Sequence, residues 1–220
     1  MKIYKSKKEL IQDQISENDV VLDVGFWGQA VGVEDKNWIH NILKSQAKEV
    51  FGVDVNFDKS KLEKPENYKK QSAEDFDFET KFDVIFAGDL IEHLSNLGLF
   101  LDSCKRNLKK GQKLIITTPN TFGLFNFMEK LFKKEPSVNS DHTVYFNFIV
   151  LKKLLEKNGW KVSEGMYLDD VWPKYRQSLK RKFLYGIYKF LSLFTPKYIE
   201  NIVVVATKKM NPVRDLKRSI

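Results

Sequence analysis

The strongest constraint in this sequence is the run Val20-Val21-Leu22-Asp23-Val24-Gly25-Phe26-Trp27-Gly28-Gln29 and its echo Val50-Phe51-Gly52-Val53-Asp54-Val55. Each is a short apolar run of strand type that ends on glycine and acid, and the two lie about one strand–helix–strand unit apart. Gly25 lets the backbone turn sharply where the first strand stops. Asp54 ends the second strand where a ribose with two hydroxyls would lie, each able to donate to a carboxylate. On the residues alone, this predicts a doubly wound α/β protein that holds an adenosine-like ligand at the carboxyl ends of its strands.

The rest of the chain extends the same pattern. Strands are expected at 20–24, 49–54, 68–72, 82–87, 113–120, 160–167 and 201–207. Helices are expected at 6–16, at 35–44 with Asp35 as cap, at 97–108, at 122–132 and in a segment ending at Gly159. A chain of 220 residues, 42% of them apolar, can bury one sizeable core, so a single domain is expected over 1–220. Residues 172–197 stand out as an insertion before the last strand: basic, aromatic and punctuated by Pro173 and Pro196.

Val21-Leu22-Asp23-Val24-Gly25 resembles the first-strand motif of class I S-adenosylmethionine-dependent methyltransferases, Asp-Val-Gly-x-Gly-x-Gly, with Trp27 and Gln29 where the second and third glycines are usual. Phe82-Asp83-Val84-Ile85, followed after a short turn by Glu92-His93-Leu94, resembles their fourth-strand signature, and Thr117-Thr118-Pro119-Asn120 their turn after strand five. The resemblance runs through residues 20–168 and resumes at 201–207. It implies a Rossmann-like sheet, mostly parallel with an antiparallel strand at one end, and S-adenosylmethionine as cofactor. It also implies a cofactor site built from Asp23, Gly25, Phe26, Trp27 and Gly28, from Asp54 and Val55 at the ribose, from Glu74, Asp75 and Phe76 at the adenine, and from Gly88 and Asp89. In that scheme the Asp75 carboxylate accepts from the exocyclic amine and Phe76 packs on the ring. The similarity is to methyltransferases of glycan and polysaccharide biosynthesis, implying methylation of a sugar or lipid-linked glycan oxygen.

Methyl transfer is an in-line displacement, so the protein must align a nucleophile and make it electron-rich. Asp89, Glu92 and His93 are spaced i, i+3 and i+4, which on one helical turn would share a face, and His142 is expected on a loop at the same rim. Two designs follow. In one, His142 or His93 is a general base toward a substrate hydroxyl, with Glu92 beside it. In the other, Asp89, Glu92, His93 and His142 ligate a divalent metal, Mg or Zn, that lowers the hydroxyl pKa. The latter set resembles the metal site of ubiquinone-pathway and small-RNA-terminal O-methyltransferases, with Asp89 in place of their first Glu. The Glu-His pair also recurs in family members without metal, where a capping or cofactor-side hydrogen bond accounts for it. His40 is expected to be structural.

The single cysteine, Cys104, excludes an intrachain disulfide and most thiolate metal sites. No run reaches the roughly 18–20 apolar residues of a membrane span, and the basic N-terminus lacks the apolar core of a signal peptide, so a cytoplasmic protein is expected. Net charge is +8, with lysines scattered as solvated surface charge except near 174–197. There Lys180-Arg181-Lys182 precedes the apolar run Phe183 to Phe194, as in an interfacial helix that makes peripheral membrane contact at 174–194; a lid over the substrate is the alternative. RNA or another small molecule as acceptor, and a non-catalytic binding protein descended from the enzymes, are the rival functions. A nicotinamide dehydrogenase is disfavoured, because no Gly-x-Gly-x-x-Gly follows the first strand.

Overall fold

The structure, a computed structural model, describes residues 2–27, 32–124, 139–170 and 179–209. Its strands are β1 (Ile3–Tyr4), β2 (Val20–Val24), β3 (Glu49–Asp54), β4 (Tyr68–Lys70), β5 (Phe82–Gly88), β6 (Leu108–Pro119), β7 (Trp160–Leu168) and β8 (Asn201–Lys208). The described helices are α1 (Lys7–Gln14), α2 (Ile39–Gln46), α3 (Leu97–Asn107), α4 (Phe148–Lys157) and α5 (Leu179–Phe194), with short 3-10 turns between some of them. The strands form a single sheet in the order β1-β7-β8-β6-β5-β2-β3-β4. Every neighbouring pair is parallel except those of β8, which runs antiparallel to both β6 and β7. The antiparallel strand thus lies toward one end, as expected, with β7 and the two-residue β1 outside it.

The chain winds outward from β2 through β3 to β4, then returns to place β5 on the other side of β2. That reversal leaves a crevice beyond the carboxyl ends of β2 and β5, where open α/β sheets bind ligands.

Alternation along the central strands sends side chains to two cores. Leu22, Val24, Ile85 and Ala87 join α3 and α4 through Phe100, Leu101, Cys104, Leu151 and Leu155. On the other face Val21, Val50, Val84 and Phe86 meet α1 and α2 through Leu10, Ile11 and Leu43. Cys104 is wholly buried and packs as a small apolar residue.

Two boundaries differ from expectation. The helix expected from Asp35 begins at Ile39, capped by the backbone of Trp38. The Asp35 carboxylate is instead used locally, accepting from the backbone N–H and the side-chain amide of Asn37, an Asx turn that competes with helix. The fifth long strand starts at Leu108 rather than 113, because the chain passes through Gly111 at φ 78° and continues pairing. Most of the helix expected at 122–132 lies outside the described residues.

One side chain ties the β4–β5 connection to α3. The buried Asn107 amide donates to the carbonyls of Phe76 and Ser103, and its oxygen accepts from the N–H of Phe78. Asn107→Ala strands a buried donor and a buried acceptor, so it should cost about 2–4 kcal/mol and lower Tm by roughly 5–15 °C in a thermal melt.

Candidate active site

The site is assembled at the crevice by the turns that end β2, β3, β5 and β6. Gly25 takes φ 74°, the left-handed conformation that favours glycine, with Leu90 packed close beside it. Its N–H donates to the Val53 carbonyl, locking the end of β2 to β3. Asp54 then closes the loop: its carboxylate accepts from the Trp27 and Asn56 N–H groups. Burial pushes the Asp54 pKa up, against the pull of those backbone donors. Its four lone-pair positions leave room for further donors such as ribose hydroxyls.

Beneath this loop lies an aromatic cluster. Phe26 is fully buried against Trp38, His40, Phe57 and Tyr68, with ring centroids 5.1–6.2 Å apart. Asp23 is 1% exposed and faces His40 Nδ1 at 2.9 Å, while His40 Nε2 meets the Tyr68 hydroxyl at 2.8 Å. Asp23 and Phe26, assigned by resemblance to cofactor contact, are therefore supports under the loop: side chains enclosed in a dry cluster have no face left for a ligand. Trp27, half-buried, stands edge-on to Phe26 and Trp38. Val55 is exposed at the rim, and Gly28 and Gln29 lie outside the described residues.

At the adenine position the structure excludes the stacking role of Phe76. Phe76 is 1% exposed and belongs to the main core, so its ring offers no stacking face. Asp75 points to Arg106 Nη2 at 2.8 Å, and the Glu74 carboxylate accepts from the N–H groups of Ser95 and Asn96 and from the Asn96 amide. Glu74 thereby satisfies the start of α3, where Asn96 itself makes no side-chain cap bond.

After β5 the chain passes Gly88 into Asp89, whose φ of 51° makes it the only non-glycine residue with positive φ among those described. This takes Asp89 out of helical register, and Ile91–His93 is a 3-10 turn, so the i, i+3, i+4 spacing does not set a common face. Asp89 pairs with Lys7 Nζ at 2.5 Å and accepts from Thr117 Oγ1 at 2.8 Å. Glu92, His93 and His142 do converge: one ligand atom from each lies within 4.8 Å of the others, and the two imidazoles stand edge to face at 4.6 Å. Asp89 is absent from this trio, correcting the four-residue metal set.

Glu92 is 2% exposed. Its Oε2 accepts from Thr118 Oγ1 at 2.8 Å, whereas its buried Oε1 has no hydrogen-bond partner among the described residues. Burial, aided by the Asp89 charge, pushes its pKa up to about 7. Burial and the neighbouring His93 lower that of His142, keeping the imidazole neutral near pH 7. Lys7 is held charged despite burial, because Asp89, together with Asp170 and Glu92, more than offsets the desolvation. An orphaned carboxylate oxygen beside two imidazoles suits a divalent cation or a proton in transit.

Three contributors escaped the sequence reading. Lys7 comes from α1, 82 residues from its partner, and nothing local marks it. Thr118 was legible only as a hydroxyl at a strand end. Thr143 donates from its hydroxyl to the carbonyls of Glu92 and Leu94, and from its N–H to that of Glu92, which brings the His142 loop to the turn. A broad concavity between Gln12, Gln46, Gln112 and Glu164 lies at the opposite end of the strands and holds none of this chemistry.

The winding of the sheet, the crevice and the loop-ending acid are those of a class I S-adenosylmethionine-dependent methyltransferase. The family model described as a methyltransferase domain matches residues 13–164, and the chain belongs to that family. A ubiquinone biosynthesis O-methyltransferase of Nitrobacter winogradskyi is 39% identical over 54 residues, 24% of this chain and 21% of that protein. One of the same name from Rhodopseudomonas palustris is 30% identical over 78 residues, 36% and 30% of the two chains. The chain thus aligns with less than a third of either relative's length. A S-adenosylmethionine-dependent methyltransferase structure from Archaeoglobus fulgidus superposes with a TM-score of 0.58 at 18% identity, over 91% of this chain and 94% of that one. A Burkholderia thailandensis 1,6-didemethyltoxoflavin N1-methyltransferase, solved with bound S-adenosylhomocysteine, gives 0.54 at 14%, over 88% and 72%.

Because the folded protein keeps the Glu92 proton up to about pH 7, whereas the free carboxyl loses it near 4.5, native stability falls as pH rises across that interval. Glu92→Gln removes the charge. Its Tm should match wild type at pH 4 and exceed it at pH 8 by an amount corresponding to about 1–3 kcal/mol, as read by paired melts.

Proposed function

We propose that this protein transfers a methyl group from S-adenosylmethionine to a hydroxyl oxygen. The observation that carries the reading is the convergence of a half-satisfied Glu92 carboxylate with two imidazoles at the crevice mouth. When bound, the cofactor supplies an electrophilic methyl on a sulfonium. Gly25 lets the loop backbone approach it, and Asp54 accepts from the ribose hydroxyls without a new conformational cost, being already fixed by Trp27 and Asn56. A hydroxyl must lose its proton as its oxygen forms the new bond, and the neutral His142 is placed to accept it, with His93 beside it. Glu92, His93 and His142 also fit a divalent ion as a three-ligand set; the orphaned Oε1 favours this second reading, in which these residues would hold the ion and it would supply Lewis acidity toward the acceptor.

The acceptor proposed on the resemblance is a sugar or lipid-linked glycan. The curated relatives carry a ubiquinone-biosynthesis name instead, so aromatic hydroxyls form the other arm of the screen. RNA is the comparison arm for the chain's positive charge.

Isothermal titration should show S-adenosylmethionine binding to wild type, weakened by about 1–3 kcal/mol in Asp54→Ala, roughly 5- to 150-fold. Absence of binding to wild type overturns the proposal. With labelled cofactor and a responsive acceptor, His142→Ala should lower turnover by about 100-fold or more at pH 7. Loss of activity on chelation and its return with Mg or Zn would select the metal reading over the base.

A further inference from the structure

We propose that the rim of this crevice docks on an anionic lipid bilayer, with α5 lying in the interface. Among the side chains described in α5, the exposed apolar residues are Ile187, Phe190, Leu191 and Phe194. Their spacing of i, i+3, i+4 and i+7 makes one stripe along the helix, and the Phe190 and Phe194 rings touch at 5.2 Å. The opposite face is fastened to the domain: Tyr188 is buried and donates to Asp169 Oδ1, and Lys189 Nζ pairs with Asp169 Oδ2, both at 2.9 Å. The helix is therefore held with this stripe outward. Phe190 is 60% exposed and Phe194 74%, well beyond the scattered apolar exposure of an ordinary surface.

The stripe continues toward the reaction centre. Beyond Phe194 the chain turns through the exposed Tyr198, and the carbonyls of Lys197 and Ile199 accept from the Asn120 amide. Thus the segment bearing the exposed Phe122 is pinned beside it. Thr121 in turn donates to the Phe146 carbonyl, next to the exposed Tyr145, whose ring lies 6.5 Å from that of His142. Exposed apolar side chains therefore lead from α5 to the edge of the Glu92–His93–His142 trio.

Charge identifies the occupant. Lys182 and Lys197 are exposed at either end of the stripe, and Lys180 and Arg181 sit at the amino end of the helix. In a chain of net charge +8, a second copy apposed on this face would bring cations against cations, whereas an anionic headgroup layer attracts them while the acyl region covers the stripe. No described helix is long and apolar enough to cross a membrane, so the contact is peripheral. The surface would give the site access to an amphiphilic acceptor.

The test is sedimentation of the full chain with phosphatidylcholine vesicles, with and without 30% phosphatidylglycerol, at about 50 and 500 mM salt, a range over which exposed charge is progressively screened. Wild type should pellet with the anionic vesicles at low salt and fall at least several-fold in bound fraction at high salt or with phosphatidylcholine alone. Phe190→Ser/Phe194→Ser should abolish pelleting, and Lys182→Glu/Lys197→Glu should weaken it while keeping the melting temperature of wild type. The readout needs no methyl transfer, so it fails or succeeds independently of the proposed reaction. Wild type remaining in the supernatant at low salt overturns the proposal, as does a concentration-dependent dimer that the Phe pair variant dissolves.

Discussion

A carboxylate taken out of water must be paired, and two carboxylates at this crevice meet that constraint in different ways. Asp23, inside β2, is wholly enclosed and answered by His40, which is answered in turn by Tyr68. The chain of bonds joins β2, α2 and β4 beneath the loop. Glu92 is nearly as buried, yet only one of its oxygens is answered from the described residues. Under the proposed function the Asp23 network is architecture, and Glu92, whose buried Oε1 is unanswered among the described residues, is where a ligand, proton or ion would complete the set. Burial alone would not tell the two apart.

The electrostatics of the second carboxylate are layered. Asp89 raises the Glu92 pKa, and Lys7, paired to Asp89, opposes it. The ammonium reaches the crevice from α1, so a residue near the start of the chain tempers a group that follows β5. This coupling makes the left-handed backbone at Asp89 intelligible. By leaving helical register, Asp89 reaches Thr117 and Lys7 and stands as a charge next to the trio rather than as one of its members.

How much of this was legible in the sequence follows from the range of the interactions. The strands of the central sheet were readable because burial on both faces imposes continuous apolar runs, as in Phe82–Gly88, and the loop because Gly25 and Asp54 do local work. Glu92, His93 and His142 were recognisable as reactive types. Their company was not: helical spacing wrongly enrolled Asp89, because a single positive φ breaks the register that such counting assumes. The stacking role expected of Phe76 failed for a related reason. Its type suits adenine, but the core claims its ring, and Asn96 engages Glu74 at the start of α3, contacts that no local pattern announces; Asp75 pairs with Arg106 while remaining largely exposed.

The same topology explains why the reactive groups and the exposed apolar side chains share one end of the molecule. In a parallel sheet the turns leaving the carboxyl ends of the strands all gather at one edge, and here β5 and β6 bring Glu92, His93 and Phe122 to it. The antiparallel β8 adds a second contribution: because it runs the other way, its beginning lies there, so the segment that precedes it, α5 and the Pro196–Tyr198 turn, is delivered to the rim as well. The pairing of Pro119 with Asn201 fixes that meeting of chain segments. A single antiparallel strand therefore does more than finish the sheet: it carries an otherwise remote amphipathic helix to the end of the molecule where the trio lies.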